Sequence, residues 1–452
     1  MTLWKKRLLA LLLTVASSIA VITLQHDSFS IASSMLSSEH PLQAFSSRSG
    51  MPSSPDESAQ AFPAFISKTS GHQPVPLERT PVSGRLKHPA NESDSCAHQG
   101  LRVLLVAYFR SGSSFLGDLM QQNCRTFYSF EPLHYMTEGV RIPDARTNEA
   151  LYVLGKIFDC SFPEITHYVK WALKPENRFL FRWNRMLWTR CRVKPVSCFN
   201  AAFVKDVCKR SRVQVIKTTR IHMRHVRLLI ESLDKSTRSC LKVVYLVRDP
   251  RGIFNSRKNL IWCANKTCAD PRVLCSDMQQ DLQEFKKLKS TMPGQVSIVR
   301  YEDLALFPTT TVMSLMKHLE LPFSKQIERF LNSHTHADPK VLQIEKQDPY
   351  STRRNSIETA TEWVNRLSAV ELQKTQYVCR SVIEELHYVP YVDLPTHAHA
   401  SPVSRASAPF QYVKRLPDKS SLFDFTAGVS AAPTTGAEAA NGNISSKLNH
   451  AC

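Results

Sequence analysis

The chain has 452 residues, with 58 Lys or Arg against 39 Asp or Glu, a formal net charge of +19 at pH 7. A hydrophobic fraction of 42% excludes a chain too polar to build a core, and the length suits one large domain or two ordinary ones. The basic balance favours anionic partners: nucleic acid, a membrane surface, or an acidic small molecule or polymer.

Lys5, Lys6 and Arg7 precede a charge-free stretch from Leu8 to Leu24, whose 17 residues are the short end of a membrane span. This order predicts a cytosolic tail (residues 1–7), a signal-anchor helix (8–24) and translocation of everything after it. Ser18 and Ala20 also suit a cleaved signal peptide, and both readings place the bulk of the chain in a lumen. Residues 25–96 are rich in Ser and Pro, show no apolar period and read as a flexible stem. Residues 97–394 alternate apolar runs with helical patterns and read as a single domain, whereas residues 395–452 read as a disordered tail.

Within the domain, Leu101–Ala107, Val213–Ile216 and Leu241–Val247 are short apolar runs expected to be buried strands. Helical spacing covers Ser113–Gln122, Ile221–Leu233, Asp277–Lys289, Thr310–Leu319 and Val370–Leu386. The alternation predicts an α/β fold, a P-loop-like parallel sheet flanked by helices, with ligands at the C-terminal ends of the strands. At that position "YFRSGSSFLGD" (Tyr108–Asp118) places Ser111, Gly112, Ser113 and Ser114 at a helix start beside the fixed charge of Arg110. Small residues and uncommitted N–H groups there can hold a phosphate, although an ordinary serine-capped helix would read the same way. The loop lacks the Gly-Lys-Ser/Thr ending of nucleotide hydrolases, and no acidic magnesium ligand stands out after a strand. A second turn, Arg248–Asp249–Pro250–Arg251, follows the third run; Arg248 and Ser256 could bind a second phosphate, or the turn could be a surface Arg–Asp pair before a Pro-started helix.

Together the two stretches resemble the nucleotide-binding elements of Golgi carbohydrate sulfotransferases, "RSGSSFLG" (Arg110–Gly117) as the 5′-phosphosulfate loop and "VRDPRGIFNSR" (Val247–Arg257) as the 3′-phosphate motif. The likeness is to the branch that sulfates the 6-hydroxyl of galactose, N-acetylglucosamine or N-acetylgalactosamine. It continues through "FEPLH" (Phe130–His134), "VRYEDLALFP" (Val299–Pro308), "YSTRRNS" (Tyr350–Ser356), "EWVNRL" (Glu362–Leu367) and "YVCRSVIEELHY" (Tyr377–Tyr388), covering about residues 100–390. The resemblance implies transfer of a sulfuryl group from 3′-phosphoadenosine 5′-phosphosulfate (PAPS) to a sugar hydroxyl, without a metal. It implies that the 5′ end rests on Arg110, Ser111, Gly112, Ser113, Ser114, Phe115 and Leu116, and the 3′-phosphate on Arg248 and Ser256 within the Asp249–Pro250–Arg251 turn, with Arg354 as a further contact. Glu131 is the candidate base, held extended by Pro132, with His134 as the competitor. Lys217 and Arg220, in "VIKTTR", resemble an element near the cleft.

Between Lys174 and Arg227 lie 15 Lys or Arg against Glu176 and Asp206, a net +13 over 54 residues, interleaved with Phe179, Phe181, Trp183, Trp188 and Phe199. In a lumen such a patch suits an acidic glycan rather than nucleic acid, and a solvated basic face over buried aromatics would look the same. The twelve cysteines, Cys96 to Cys452, favour disulfides over zinc; Cys263, Cys268 and Cys275, or Cys191, Cys198 and Cys208, lack paired metal-ligand spacing. Asn91, Asn265 and Asn443 stand in glycosylation triplets. The expected partners are a glycan acceptor and the membrane, with a homodimer left open; the alternative function is a non-catalytic luminal binder of acidic glycans.

Overall fold

The computed structural model describes residues 96, 100–137, 139–264, 266–336 and 351–390. The expected signal-anchor, the stem before Cys96, the C-terminal tail and all three sequon asparagines lie outside the described residues. Among the described residues no helix is long and apolar enough to cross a membrane.

Five strands, β1 (Leu101–Ala107), β2 (Thr126–Phe130), β3 (Val213–Thr218), β4 (Leu241–Val247) and β5 (Val296–Arg300), pair in parallel in the order β2-β3-β1-β4-β5. Both faces of the sheet are buried, as the unbroken apolar runs predict. Leu104 and Val106 of β1 join Ile216, Val243 and Tyr245 in one core. The alternate residues Val103, Leu105 and Ala107 join Val215, Val244 and Leu246 in a second core on the opposite face. Truncating Leu105, which is fully buried, would cost about 2–5 kcal/mol.

The helices that bear on the site are α1 (Ser113–Met120), α2 (Met223–Ser232), α3 (Pro250–Arg257), α4 (Pro271–Thr291), α5 (Tyr301–Leu306) and α6 (Ser356–Thr361). The helix expected over residues 370–386 is instead two, Ala369–Val378 and Arg380–Glu385, meeting at Cys379. Cys379 (φ −102°, ψ 9°) leaves the helical range while its disulfide to Cys275 pins it to α4. The connectivity that the sequence leaves open is, among the described residues, Cys96–Cys240, Cys160–Cys208, Cys191–Cys198, Cys263–Cys268 and Cys275–Cys379. Every cysteine of the two candidate zinc triads is thus in a disulfide.

Candidate active site

The loop after β1 turns on two residues with left-handed backbone, Arg110 (φ 71°) and Gly112 (φ 89°). Ser111 closes the turn, its N–H and hydroxyl both donating to the Tyr108 carbonyl at 3.1 and 2.7 Å. Gly112 is the N-cap of α1, and no side chain caps that helix. The serine-capped alternative is therefore not what the chain builds, and the first-turn N–H groups remain available to an anion. A Cβ on Gly112 would sit 2.4 Å from Cδ2 of Tyr301, so only glycine fits between loop and ring.

Arg248 emerges from the end of β4 and ties this loop to the opposite wall. Its Nη1 donates to the Arg110 carbonyl at 3.0 Å and its Nη2 to the Thr359 carbonyl at 2.9 Å. Its guanidinium lies 4.3 Å from the Tyr301 ring centroid. In return, Arg110 Nε donates to Ser256 Oγ at 2.8 Å. The two stretches expected to bind anions, well over a hundred residues apart in the chain, are cross-braced into one unit.

The Arg248–Arg251 turn divides by role. Asp249 accepts from the Arg251 N–H, capping α3, and its carboxylate pairs with Arg251 Nη2 at 2.7 Å. Arg251 is fully buried, stacked over Trp363 and donating to Gln376 Oε1 and the Val389 carbonyl. These contacts hold the turn in shape; Asp249, Pro250 and Arg251 do not line the cavity, and neither do Ser111, Leu116 and Ser256. Leu116 packs in the core.

Glu131 follows β2, but not in the extended conformation expected from Pro132: its φ is 45°. The turn is fixed by the Glu131 N–H donating to the Lys217 carbonyl at 2.9 Å and the His134 N–H donating back to the Glu131 carbonyl at 3.0 Å. The carboxylate receives Lys217 Nζ at 2.7 Å, Thr219 Oγ1 at 2.8 Å and the Thr219 N–H at 3.2 Å, and pairs with Arg220 Nε at 3.7 Å. Burial pushes its pKa up, but the charges of Lys217 and Arg220 and these hydrogen bonds outweigh it and hold the carboxyl below its usual range. His134 is held below the ordinary histidine value by burial and by the Arg220 charge, so its imidazole is neutral at pH 7. Its buried Nδ1 has no hydrogen-bond partner.

These groups open onto one cavity of about 700 Å³, within the range of small-molecule sites. Of the residues expected to serve the site it brings together Arg110, Gly112, Ser113, Ser114, Phe115, Glu131, His134, Lys217, Arg220, Arg248 and Arg354. The structure adds Tyr301, Thr219 and Thr359, which no motif singled out as site residues. It also resolves the basic, aromatic stretch before β3. Phe179 and Trp183 line the cavity, Phe181 and Phe199 stack on each other at 5.3 Å in the core, and Trp188 lies beneath Arg182. Lys174, Arg182, Arg185, Arg190, Arg192 and Lys194 are exposed.

The family model for the sulfotransferase domain matches residues 101–388. The chain is 28% identical over 334 residues to carbohydrate sulfotransferase 1 of Rattus norvegicus, covering 63% of this chain and 79% of the relative. It is 26% identical over 322 residues to carbohydrate sulfotransferase 3 of Homo sapiens, covering 61% and 65%. Among solved structures, it resembles the sulfotransferase domain of the olefin synthase from Synechococcus PCC 7002, with a TM-score of 0.39 at 16% identity over 63% of this chain and 94% of that one.

Proposed function

The chain belongs to the sulfotransferase domain family, and from that premise we propose that it transfers the sulfuryl group of PAPS to the 6-hydroxyl of galactose, N-acetylglucosamine or N-acetylgalactosamine in a glycan. The observation that carries this reading is the joining of two anion sites and a buried carboxylate in a single cavity at the C-terminal ends of the strands. PAPS has two phosphate-bearing ends, which matches the two sites. The 5′-phosphosulfate would rest on the first turn of α1 and on Arg110, and the 3′-phosphate beside Arg248 and Arg354.

In the transfer, the acceptor oxygen forms a new S–O bond while the S–O bond to the 5′-phosphate breaks. The electron pair departs on the phosphate oxygen, giving adenosine 3′,5′-bisphosphate (PAP). Arg110 and the N-terminal amides of α1 offset the negative charge that gathers there. The acceptor proton passes to Glu131, which its neighbours keep ionised at neutral pH. His134, neutral and with an unpartnered buried Nδ1, is the second candidate base.

On this reading residues 97–394 are the catalytic domain, carried into the Golgi lumen by a type II signal-anchor at residues 8–24 and a stem at 25–96. The exposed basic stretch before β3 would then meet glycan rather than nucleic acid. The test is to purify the full chain and supply labelled PAPS with desulfated keratan, desulfated chondroitin and a mucin-type oligosaccharide, followed by linkage analysis of the product. Label on a 6-hydroxyl supports the proposal. PAP binding without transfer to any acceptor would replace it with a luminal glycan binder.

A further inference from the structure

Three aromatic side chains line the β2–β3 end of the cavity beside Glu131, His134, Lys217 and Thr219. Phe130 closes β2, Trp183 stacks on it with ring centroids 5.2 Å apart and planes within 12°, and Phe179 meets Phe130 edge-on at 6.3 Å. All three line the cavity and none is fully buried; Phe179 is 37% exposed. They adjoin the chemistry directly. Lys217 Nζ, which holds Glu131, lies 4.4 Å from the Phe130 centroid, and Phe179 meets the His134 ring edge-on at 6.0 Å.

We propose that Phe130, Phe179 and Trp183 form the platform for the acceptor, stacking on the apolar C–H face of the pyranose ring that carries the reacting hydroxyl. This rests on the sulfotransfer reading above and adds the residues that select for a sugar. The sheet order decides between sugar and adenine as the occupant. Arg248 follows β4 and Tyr301 follows β5, both on one side of β1, whereas Phe130 and Lys217 belong to β2 and β3 on the other. The loop after β1 lies between them. A nucleotide spanning that loop and Arg248 occupies the β4–β5 side, which leaves the aromatic wall beside Glu131 for the molecule that is to lose a proton. A flat apolar wall with polar groups at its edge is the surface a pyranose needs: C–H groups on the rings, hydroxyls toward Glu131, His134 and Thr219.

The test compares steady-state kinetics of Trp183→Ala, Phe179→Ala and Trp183→Phe with wild type. It uses the full chain, PAPS, and whichever of desulfated keratan, desulfated chondroitin or mucin-type oligosaccharide wild type sulfates fastest. PAP affinity is measured by calorimetry alongside. Trp183→Ala is expected to raise the acceptor KM about tenfold, with PAPS KM and PAP affinity unchanged and Trp183→Phe recovering most of the loss. An equal rise in PAPS KM would give the wall to the nucleotide base and overturn the proposal; so would an unchanged acceptor KM in folded protein. Should Trp183→Ala not fold, Phe179→Ala and Trp183→Phe decide by the same KM comparison. If wild type itself binds PAP but sulfates no acceptor, the parent reading fails; if wild type turns over and the variants keep its acceptor KM, only the platform does.

Discussion

The two halves of the cavity are built differently. On the β1–β4–β5 side, uncapped backbone amides at α1 stand beside cross-braced arginines: Arg248 donates to the Arg110 and Thr359 carbonyls, and Arg110 to Ser256. On the β2–β3 side, a buried carboxylate is held by Lys217, by the hydroxyl and N–H of Thr219 and by Arg220, with aromatic rings beside it. The first arrangement suits charge already present in a ligand. The second suits a neutral hydroxyl that becomes charged only as it reacts. If that division is correct, substitutions on the two sides must separate donor affinity from turnover.

The largest effect falls on the acceptor side. Glu131→Gln is expected to lower kcat by about 10²- to 10⁴-fold and leave PAP affinity intact. It should also lower the melting temperature, because it strips Lys217 of its buried partner. Since the Glu131 pKa is held below the ordinary 4.5, a base at this position is ionised at neutral pH, and on the proposed reading kcat/KM falls only as pH drops below 4.5. A Glu131→Gln enzyme that retains kcat and loses activity only as pH falls below the ordinary histidine value of 6.5 would assign the base to His134 instead.

Next, on the opposite side, Arg248→Ala should raise PAPS KM about 10- to 100-fold, the worth of charge-assisted hydrogen bonds to a phosphate, and change acceptor KM far less. Equal changes in both would mean that the cavity does not divide as argued. Smaller again is Gly112→Ala, which needs φ 89° of an alanine and drives its Cβ against Tyr301. The left-handed backbone alone costs about 1–2 kcal/mol, to be read as weaker PAP binding by calorimetry. Tyr301→Ala added to it should be less harmful than the sum of the two single changes, because the clash is shared. Strict additivity would deny the contact.

This difference in construction also explains what could be read beforehand. The β1 loop and the Arg248 turn are contiguous, and each follows a long apolar strand, so "RSGSSFLG" and "VRDPRGIFNSR" carry their own context. Strand β2, "TFYSF", and β5, "VSIVR", are five residues long with polar residues inside them, too short for a period to stand out. The β2–β3 wall is assembled from Phe130, Phe179, Trp183, Lys217 and Thr219, residues up to 88 positions from Glu131, and only folding brings them together. Arg251 marks the opposite failure. It sits inside a stretch expected to hold a phosphate, yet Asp249 and Trp363 claim its guanidinium, and no spacing rule separates it from Arg248. Likewise Pro132 favours an extended Glu131, but hydrogen bonds to Lys217 and from His134 override that preference.

The smallest prediction contrasts two buried glutamates. Glu302, fully buried on the β4–β5 side, accepts from the Asp249 N–H at 3.1 Å and the Tyr388 hydroxyl at 2.7 Å. Burial, then the Asp249 charge, push its pKa up to about 7 from 4.5, the reverse of Glu131. Between those two values the folded chain binds more protons at Glu302 than the unfolded one, so this residue's contribution to stability is present below pH 4.5 and is lost as pH rises through 7. Glu131 acts in the opposite sense: its contribution is present above pH 4.5 and is lost as pH falls through its lowered pKa. Glu302→Gln removes the titration and keeps an acceptor for one of the two donors. Its melting temperature should therefore fall less than that of wild type between pH 5 and pH 8, by about 2–4 °C if roughly 1 kcal/mol is at stake. An identical slope in the two proteins would show that Glu302 stays ionised in the fold. The side of the cavity proposed for the donor would then have no neutral carboxyl beneath it.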